Sequence, residues 1–334
     1  MKVIAPDFYK DFHCIGSACK HNCCIGWEIT IDEDTADFYR VVPGAFGRRL
    51  RHDIKRDKKG ASFRMNAAHR CPLLNRENLC DIILNLGEGA LCQVCADHPR
   101  FRADFDTVTE MGLGMACEAA AKLLLTRKDP IALTVMEDDG DEKELTEREK
   151  SFFAERERLF RIAQDRSVTV AERVSRIAKE TRLDEVDLST ENWIGFFEDL
   201  ETIEPNCFEI LSRVMHAACS GSLKQYWEEH SHFEVEGEQI LVYFLYRYLS
   251  HAKDPLDYRA RVGFSLISCR FLMCQWELEK PTDAPQPFEH VVELARRYSA
   301  EVEYSEENVE RILEALKREI VDRDKLHAAP VAAL

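Results

Sequence analysis

The chain has 334 residues, a hydrophobic content of 45% and an aromatic content of 9%, values that exclude disordered and collagen-like classes. Its formal net charge of −16 at pH 7 argues against nucleic acid as a partner, because phosphates favour a basic surface. The length permits two domains.

The N-terminal residues, MKVIAPDFYKDF, lack the uninterrupted apolar core of a secretory signal. No stretch approaches the roughly 20 apolar residues that a membrane helix needs. We therefore expect a cytoplasmic protein without a membrane partner. Cytosolic thiols are kept reduced, so a dense cysteine pattern there favours metal binding or catalysis over disulfides.

The first segment has little periodicity. The stretch GWEITID predicts a short strand and TADFYRVV predicts a short helix. The basic run RRLRHDIKRDKK, residues 48–59, is interpreted as a solvated loop, followed by one strand. A segment of this kind usually gains order from something other than an apolar core, such as a bound metal.

Nine of the thirteen cysteines lie in the first 117 residues. They are Cys14, Cys19, Cys23, Cys24, Cys71, Cys80, Cys92, Cys95 and Cys117. Thiolates separated by two to four residues let one turn of backbone wrap an ion or cluster, and the later group adds ligands from a second segment. The spacing predicts a metal site, but both zinc and an iron-sulfur cluster take four thiolates. Side chains of the adjacent Cys23 and Cys24 diverge, so these two residues can serve different roles.

Charge changes along the chain. Residues 1–125 carry 17 basic and 17 acidic side chains, whereas residues 126–334 carry 28 and 44. The acidic stretch EDDGDEKE at 137–144 is typical of a linker. We predict a cysteine-rich metal domain at 1–130, an acidic linker at 131–145 and an α-helical domain at 146–334, giving a mainly α protein.

Amphipathic stripes fill the second segment. Thr146 and Glu149 form a potential capping box at the start of the first predicted helix. Similar patterns occur in VAERVSRIAKETR, FEILSRVMHAACSG, EGEQILVYFLYRYLSHA, DYRARVGFSLISCRFLMCQWELE and SEENVERILEALKREIVDR. Cysteine buried among apolar residues behaves as a small hydrophobe. Four cysteines here are therefore interpreted as core: Cys207, Cys219, Cys269 and Cys274.

The cysteine motifs resemble those of the flagellin lysine-N-methylase family, which is related to cysteine-cluster proteins described as zinc or iron chelators. The resemblance spans roughly residues 8–125; beyond residue 140 only length and helical character are similar. The residues that carry it are Phe12, Cys14, Gly16, Cys19, Cys23, Cys24, Gly26, Trp27, Cys71, Pro72, Leu73, Leu74, Leu79, Cys80, Cys95, Pro99, Arg100 and Cys117. Cys92 is not a fixed element of that pattern and ranks below Cys95 as a ligand.

The resemblance implies an enzyme that transfers methyl groups from S-adenosylmethionine to surface lysines of flagellin. It also implies a four-iron, four-sulfur cluster held by these cysteines, with zinc as the alternative metal. The competing hypothesis is a metal-binding or redox module without methyltransferase activity, in which the helical part is an interaction scaffold.

The sequence does not select a catalytic base, and the cofactor site has only weak candidates. Arg100 could bind an acidic group of the cofactor or the charge of the cluster, although a turn fixed by Pro99 explains it equally well. Gly112 and Gly114 in GLGMAC form a glycine-rich loop that lacks a third glycine. Tight packing beside Cys117 is the competing explanation for them.

A radical mechanism is not indicated. The familiar radical signature has three cysteines spaced by three and then two residues, whereas Cys19 and Cys23 are followed at once by Cys24. An amine is nucleophilic enough for polar methyl transfer.

Overall fold

The structure is a computed structural model that describes residues 2–58, 60–138, 140, 144–202, 234–278 and 287–328. Helices dominate these residues, which confirms the mainly α prediction for the part of the chain that is described. The twelve α-helices found there are α1 (Glu33–Val41), α2 (Gly44–Asp53), α3 (Asp81–Leu86), α4 (Gln93–Asp97), α5 (Glu118–Leu125), α6 (Glu147–Ala163), α7 (Val170–Glu180), α8 (Thr190–Glu198), α9 (Glu234–Leu249), α10 (Pro255–Leu278), α11 (Pro287–Tyr298) and α12 (Glu306–Ala328).

Two sheets accompany the helices. The strands are β1 (Lys2–Pro6), β2 (Thr30–Ile31), β3 (Ile54–Asp57), β4 (Gly60–Phe63), β5 (Arg100–Asp104), β6 (Val108–Leu113) and β7 (Leu133–Asp138). One sheet has the order β5-β6-β1-β7, with β1 parallel to β6 and the other pairs antiparallel. The smaller sheet has the antiparallel order β2-β4-β3.

The interpretation of the basic run as a solvated loop was wrong. Residues 44–53 form α2 and residues 54–57 form β3. Leu50 on this helix is fully buried, and Arg49 donates hydrogen bonds of 2.6 Å to the Asp81 carboxylate and to the carbonyl of Pro72. Gly47 is also buried and Phe46 packs against the same apolar cluster as Leu50, so one face of this basic helix is anchored in the protein.

The helical predictions fared better. Thr146 caps α6, and its hydroxyl and the Glu149 side chain form the predicted capping box. The helices α7, α9, α10 and α12 lie where the amphipathic patterns placed them. The pattern FEILSRVMHAACSG, with Cys207 and Cys219, lies outside the described residues. Cys269 and Cys274 are buried in α10, which confirms their interpretation as core.

Buried side chains form two separate apolar clusters. The larger one joins the helices α5 to α12 to Phe8 and to the end of β6. The smaller one comprises residues between Ile29 and Cys92, including Tyr39, Leu50 and Phe63. The four-stranded sheet and α5 thus pack with the helices, while the segment around α1 to α4 has its own small core.

Buried ion pairs fix the sheet and the helices against each other. The guanidinium of Arg156 on α6 forms a two-pronged salt bridge with Glu110 on β6, with one Nη1 to Oε2 distance of 2.7 Å. Ser250 Oγ also donates to Glu110 at 2.7 Å. Both partners of these charge-assisted hydrogen bonds are buried. Separating them would leave an unpaired charge inside the protein at a large cost in free energy, so the pair holds α6 against β6.

The expected acidic linker contains regular structure. Strand β7 occupies Leu133–Asp138 and pairs antiparallel with β1 over its whole length. The division of the chain into the three predicted domains stays a prediction. Within the described residues, no helix combines the length and the apolar character that crossing a membrane requires.

Candidate functional site

The nine N-terminal cysteines are all described and all carry free thiols. Backbone contacts bring distant segments together around three of them. The amide of Cys71 donates to the carbonyl of Cys24 at 2.8 Å, and isolated bridges join Ile25 to Arg70 and Leu74 to Cys80. The 46-residue gap in sequence between Cys24 and Cys71 is therefore closed in space.

Cys92 and Cys95 flank the start of α4. Cys92 is the residue before the helix, and its carbonyl accepts from the amide of Cys95 at 2.9 Å. Both residues belong to the smaller core, together with Cys24, Cys71 and Cys80. The structure thus gathers five thiols of the predicted set in one cluster and includes Cys92, which sequence reasoning ranked lower.

Cys117 packs against the larger core, and Cys19 lies near it through Glu118. The Cys19 thiol lies 3.1 Å from the carbonyl of His21 and 3.8 Å from the Glu118 carboxylate. Glu118 also accepts from the amide of Lys20 at 2.9 Å, and it is the first residue of α5, directly after Cys117. Glu118 thus ties the first cysteine loop to the start of α5.

Burial raises the pKa of most of these thiols, because a thiolate is poorly solvated inside the protein. Burial, and more weakly the charges of neighbouring groups, raise the pKa of Cys19 and of Cys71 to about 11. Hydrogen bonding to Cys24 lowers the pKa of Cys23 to about 7, and the same pairing raises that of Cys24. A metal cation bound here would instead stabilise the thiolates and lower the pKa of each thiol that contacts it.

The thiols do not converge on a point the size of one ion. Among the described residues, no group of three or more His, Cys, Asp or Glu side chains is arranged to hold a metal ion. Burial is the main cause that raises the pKa of Cys80 and of Cys117, and the charge of Cys23 adds to it, so Cys23 lies near both thiols. The assignment of individual ligands stays a prediction.

A cleft of about 490 Å³ lies beside these cysteines. Trp27, Asp97 and His98 line it from the cysteine-rich side, and Tyr304 closes it from the helical side. The Trp27 indole N–H donates to the carbonyl of Cys23 at 2.7 Å, so the orientation of the ring is fixed by the cysteine loop. A second, larger cleft of about 770 Å³ lies between α6, α7 and the start of α10.

The predicted cofactor residues occupy different surroundings. Arg100 lines the smaller cleft, and its guanidinium lies 5.3 Å from the ring centre of Phe12. Gly112 lies within β6, where an added Cβ would come within 2.1 Å of the Phe101 ring. Gly114 follows the strand, and an added Cβ would come within 2.6 Å of the Tyr304 hydroxyl. Close packing therefore accounts for both glycines, whereas Arg100 lies where a ligand can reach it.

Sequence reasoning missed a buried polar cluster behind Tyr304. The Glu303 carboxylate accepts hydrogen bonds from Tyr243 at 2.9 Å and from Tyr248 at 3.1 Å, and Arg247 lies 3.2 Å from it. The Arg247 guanidinium also lies 5.3 Å from the centre of the Tyr304 ring. The charged and phenolic residues in YFLYRYL of α9 were a signal, since such groups are rarely buried without partners.

His98 is uncharged at neutral pH. Burial, followed by the charges of Arg100 and Arg247, lowers its pKa to about 4. Its ring contacts Tyr304 edge-on, with 5.9 Å between the ring centres. The cleft therefore combines a fixed indole, a phenol and a neutral imidazole with the carboxylates of Asp32 and Asp97 and the guanidinium of Arg100.

Comparison with known proteins adds the family. The flagellar biosynthetic protein FliU of Salmonella muenchen is 31% identical over 137 residues, which are 39% of this chain and 81% of that protein. Lysine-N-methylases of Salmonella choleraesuis and Salmonella typhimurium are each 30% identical over 138 residues, 40% of this chain and 34% of theirs. The chain thus matches about a third of the length of these two relatives. No solved structure matches the chain significantly.

The family model of the FliB lysine N-methylase C-terminal domain matches residues 112–327. This range holds the GLGMAC stretch, Cys117, the described helices from α5 to α11, Tyr304 and nearly all of α12. It lies mainly in the segment where the motifs indicated only similar length and helical character. The chain belongs to the FliB lysine N-methylase family.

Proposed function

We propose that this protein is a lysine N-methyltransferase that transfers methyl groups from S-adenosylmethionine to surface lysines of flagellin and carries a cysteine-ligated iron-sulfur cluster. The family match over residues 112–327 is the observation that carries the proposal. Relatives named as lysine-N-methylases and as a flagellar biosynthetic protein support the reaction and the flagellar substrate.

The reaction places chemical demands on the site. Lysine is protonated at pH 7, since its reference pKa is about 10.4, and only the neutral amine attacks. The nitrogen then forms a bond to the methyl carbon as the bond from that carbon to sulfur breaks, and one proton leaves the nitrogen. A cleft that partly excludes water lowers the pKa of a lysine within it, and it holds the reacting atoms in line.

The smaller cleft supports this chemistry better than the larger one. Trp27 and Tyr304 form aromatic walls, and the neutral imidazole of His98 can accept a hydrogen bond from the amine. The guanidinium of Arg100 can pair with the carboxylate of S-adenosylmethionine. The cleft joins the cysteine motifs to Tyr304, which lies within the range matched by the family model.

The thiols fit an iron-sulfur cluster as a donor set. They are free, several are buried, and they come from segments that are far apart in sequence. A four-iron cluster occupies more space than one ion, so its ligands need not meet at an ion-sized point. The residues that would hold it come from Cys14, Cys19, Cys23, Cys24, Cys71, Cys80, Cys95 and Cys117, with Cys92 ranked lower.

The contribution expected of the bound cluster is structural, because a metal centre can supply the folding energy that a small core lacks. The helices α1 to α4 and the strands of the β2-β4-β3 sheet, which surround the thiols of the smaller core, are all short. The loop that carries Cys23 also fixes Trp27, so ordering the thiols would order one wall of the cleft.

The test is methyl transfer from labelled S-adenosylmethionine to purified flagellin, with methyl-lysine detected by mass. Anaerobically purified protein should be brown, absorb broadly near roughly 400 nm as thiolate-ligated iron does, and methylate flagellin. A flagellin in which the acceptor lysines are replaced by arginine is the control, because it keeps the charge and removes the acceptor.

Absence of transfer under both aerobic and anaerobic, reducing conditions would favour the alternative of a metal-binding module without methyltransferase activity. A colourless protein with stoichiometric zinc would exclude the iron-sulfur cluster and leave the transfer reaction to be judged separately.

A further inference from the structure

We infer that the 490 Å³ cleft between Trp27 and Tyr304 binds the side chain of the substrate lysine, with the Asp97 carboxylate at its rim attracting the ammonium group. This inference rests on the proposed function, which supplies lysine as the substrate. It adds the place where the lysine enters and the residues that contact it.

Tyr304 is unusual in its exposure. The residue is 43% exposed as a whole, although the preceding residue, Glu303, and the neighbouring Arg247 belong to a buried polar cluster. The exposed part lines the cleft. Arg247 and the close approach of Gly114 hold the ring in position from behind. A large aromatic side chain that is exposed and immobilised in a cleft is suited to binding rather than to packing.

Trp27 is immobilised in a comparable way from the opposite side. Its indole N–H donates to the Cys23 carbonyl at 2.7 Å, and part of the ring packs against the smaller core, so only the remaining part of the ring lines the cleft. The four methylene groups of a lysine are apolar and its head is a cation. Aromatic walls attract both parts, the chain by burial and the head by the negative face of the ring.

The two carboxylates of the cleft, Asp32 and Asp97, differ in their hydrogen bonds and in their exposure to solvent. Both oxygens of Asp32 accept backbone hydrogen bonds, from Thr35 and from Gln93, at 2.9 and 2.8 Å. Asp97 is exposed, and its Oδ2 accepts from the Gln93 side chain at 2.6 Å. Asp97 therefore presents a carboxylate to solvent at the rim, where an incoming ammonium can pair with it. Arg100 lies in the same cleft, which leaves a separate cationic position for an acidic group of the methyl donor.

The larger cleft provides a matched comparison. Its lining carries charges of both signs. The acidic residues are Asp104, Asp106, Glu149, Glu155, Glu180 and Asp254, and the basic residues are Arg148, Arg182, Lys253 and Arg259. Arg259 is paired with Asp324 at 2.6 Å. Glu155 lies on α6, so the E155Q variant removes a carboxylate from this cleft without touching the proposed lysine site.

The experiment uses the complete, metal-loaded protein with two peptides, one bearing a single acceptor lysine from a flagellin surface and one with norleucine in its place. Calorimetric titration should show that wild type binds the lysine peptide more tightly than the norleucine peptide. Asp97→Asn should reduce that preference by about 3-fold, as expected for an exposed ion pair. The E155Q variant should bind like wild type.

Turnover gives a second, independent measurement. Trp27→Leu and Tyr304→Leu should each raise KM for the lysine peptide by about 10-fold, in line with loss of one cation–π contact, while KM for S-adenosylmethionine changes little. Trp27→Phe should restore most of the affinity because it restores an aromatic face. Among the described residues, Tyr304 lies outside the loop that carries Cys23 and makes no hydrogen bond to it, so its variant remains informative if changes at Trp27 disturb metal content.

Equal binding of the two peptides by wild type would overturn the inference. So would Trp27→Leu and Tyr304→Leu variants in which only KM for S-adenosylmethionine increases and KM for the lysine peptide does not. Preferential binding of the lysine peptide that Asp97→Asn weakens, without any methyl transfer by wild type, would support the lysine site while contradicting the proposed reaction. The two proposals thus fail in different measurements.

Discussion

Cysteines occupy different surroundings in the two cores of this protein. In the smaller core, Cys24, Cys71 and Cys80 come from loops that are brought together by a few backbone hydrogen bonds. In the larger core, Cys269 and Cys274 lie on one long helix and are buried among apolar side chains. The same residue type is thus a candidate metal ligand in one setting and a small hydrophobic side chain in the other. Its neighbours decide whether it can stabilise the fold by binding a metal or by apolar burial.

The two cores also differ in how they gain stability. The larger core has long helices, a defined cap on α6 and buried ion pairs such as that between Arg156 and Glu110. The smaller core has short elements, and burial raises the pKa of several thiols around it. We therefore expect metal removal to weaken the smaller core selectively.

The largest effect is expected from Cys71→Ala. This substitution should abolish iron binding and open the segment around α1 to α4, because we expect folding there to be coupled to the metal. Iron analysis, absorbance near roughly 400 nm and limited proteolysis measure the loss. Cys269→Ala is the matched control, and iron content equal to wild type is expected for it. Equal iron loss in both variants would contradict the distinction between the two cores.

Arg156→Ala should destabilise the larger core by about 3–5 kcal/mol, because it leaves the Glu110 charge buried without its partner. Urea unfolding followed by circular dichroism measures this change. Arg158→Ala, on the same helix, removes an exposed pair with Glu180 and should cost less than about 1 kcal/mol. Similar losses in the two variants would show that the buried pair is not the important contact.

Acid should weaken the larger core through Asp257. Burial opposes ionisation of this carboxyl, but hydrogen bonds from Arg261 and Lys317 outweigh it and lower the pKa to about 2. Because the folded pKa lies below the unfolded value, the stabilisation is present above roughly pH 4 and is lost as the pH falls towards 2. Its magnitude is about 2 kcal/mol. The free energy of unfolding of Asp257→Asn should depend less on pH between roughly pH 4 and pH 2 than that of wild type. An unchanged pH dependence would show that Asp257 is not its source.

The smallest effect is expected from Thr146→Ala. Loss of the cap on α6 should cost about 1 kcal/mol in the free energy of unfolding. Thr146→Ser keeps the hydroxyl and should lower the free energy of unfolding by only a few tenths of a kcal/mol. Iron content should equal that of wild type in both variants, since the cap belongs to the larger core. A parallel loss of iron would show that the two cores are coupled.

Local patterns predicted what local forces determine. The capping box of Thr146 and Glu149, the amphipathic helices and the buried positions of Cys269 and Cys274 were all confirmed. The basic run failed as a prediction because one buried residue, Leu50, and the contacts of Arg49 outweigh its high charge. The sheet was missed since β1 pairs with β6 and β7, more than 100 residues away along the chain.

By itself, the sequence determined the helical character of the second segment, because that depends on residue type and short spacing, and it predicted a thiolate site in the first segment on the same grounds. Only the tertiary structure decided that Trp27 and Tyr304 line the same cleft and that Arg100 lies there while Gly112 packs in a strand. Those juxtapositions come from packing between segments up to 277 residues apart, and no local pattern carries information about such contacts.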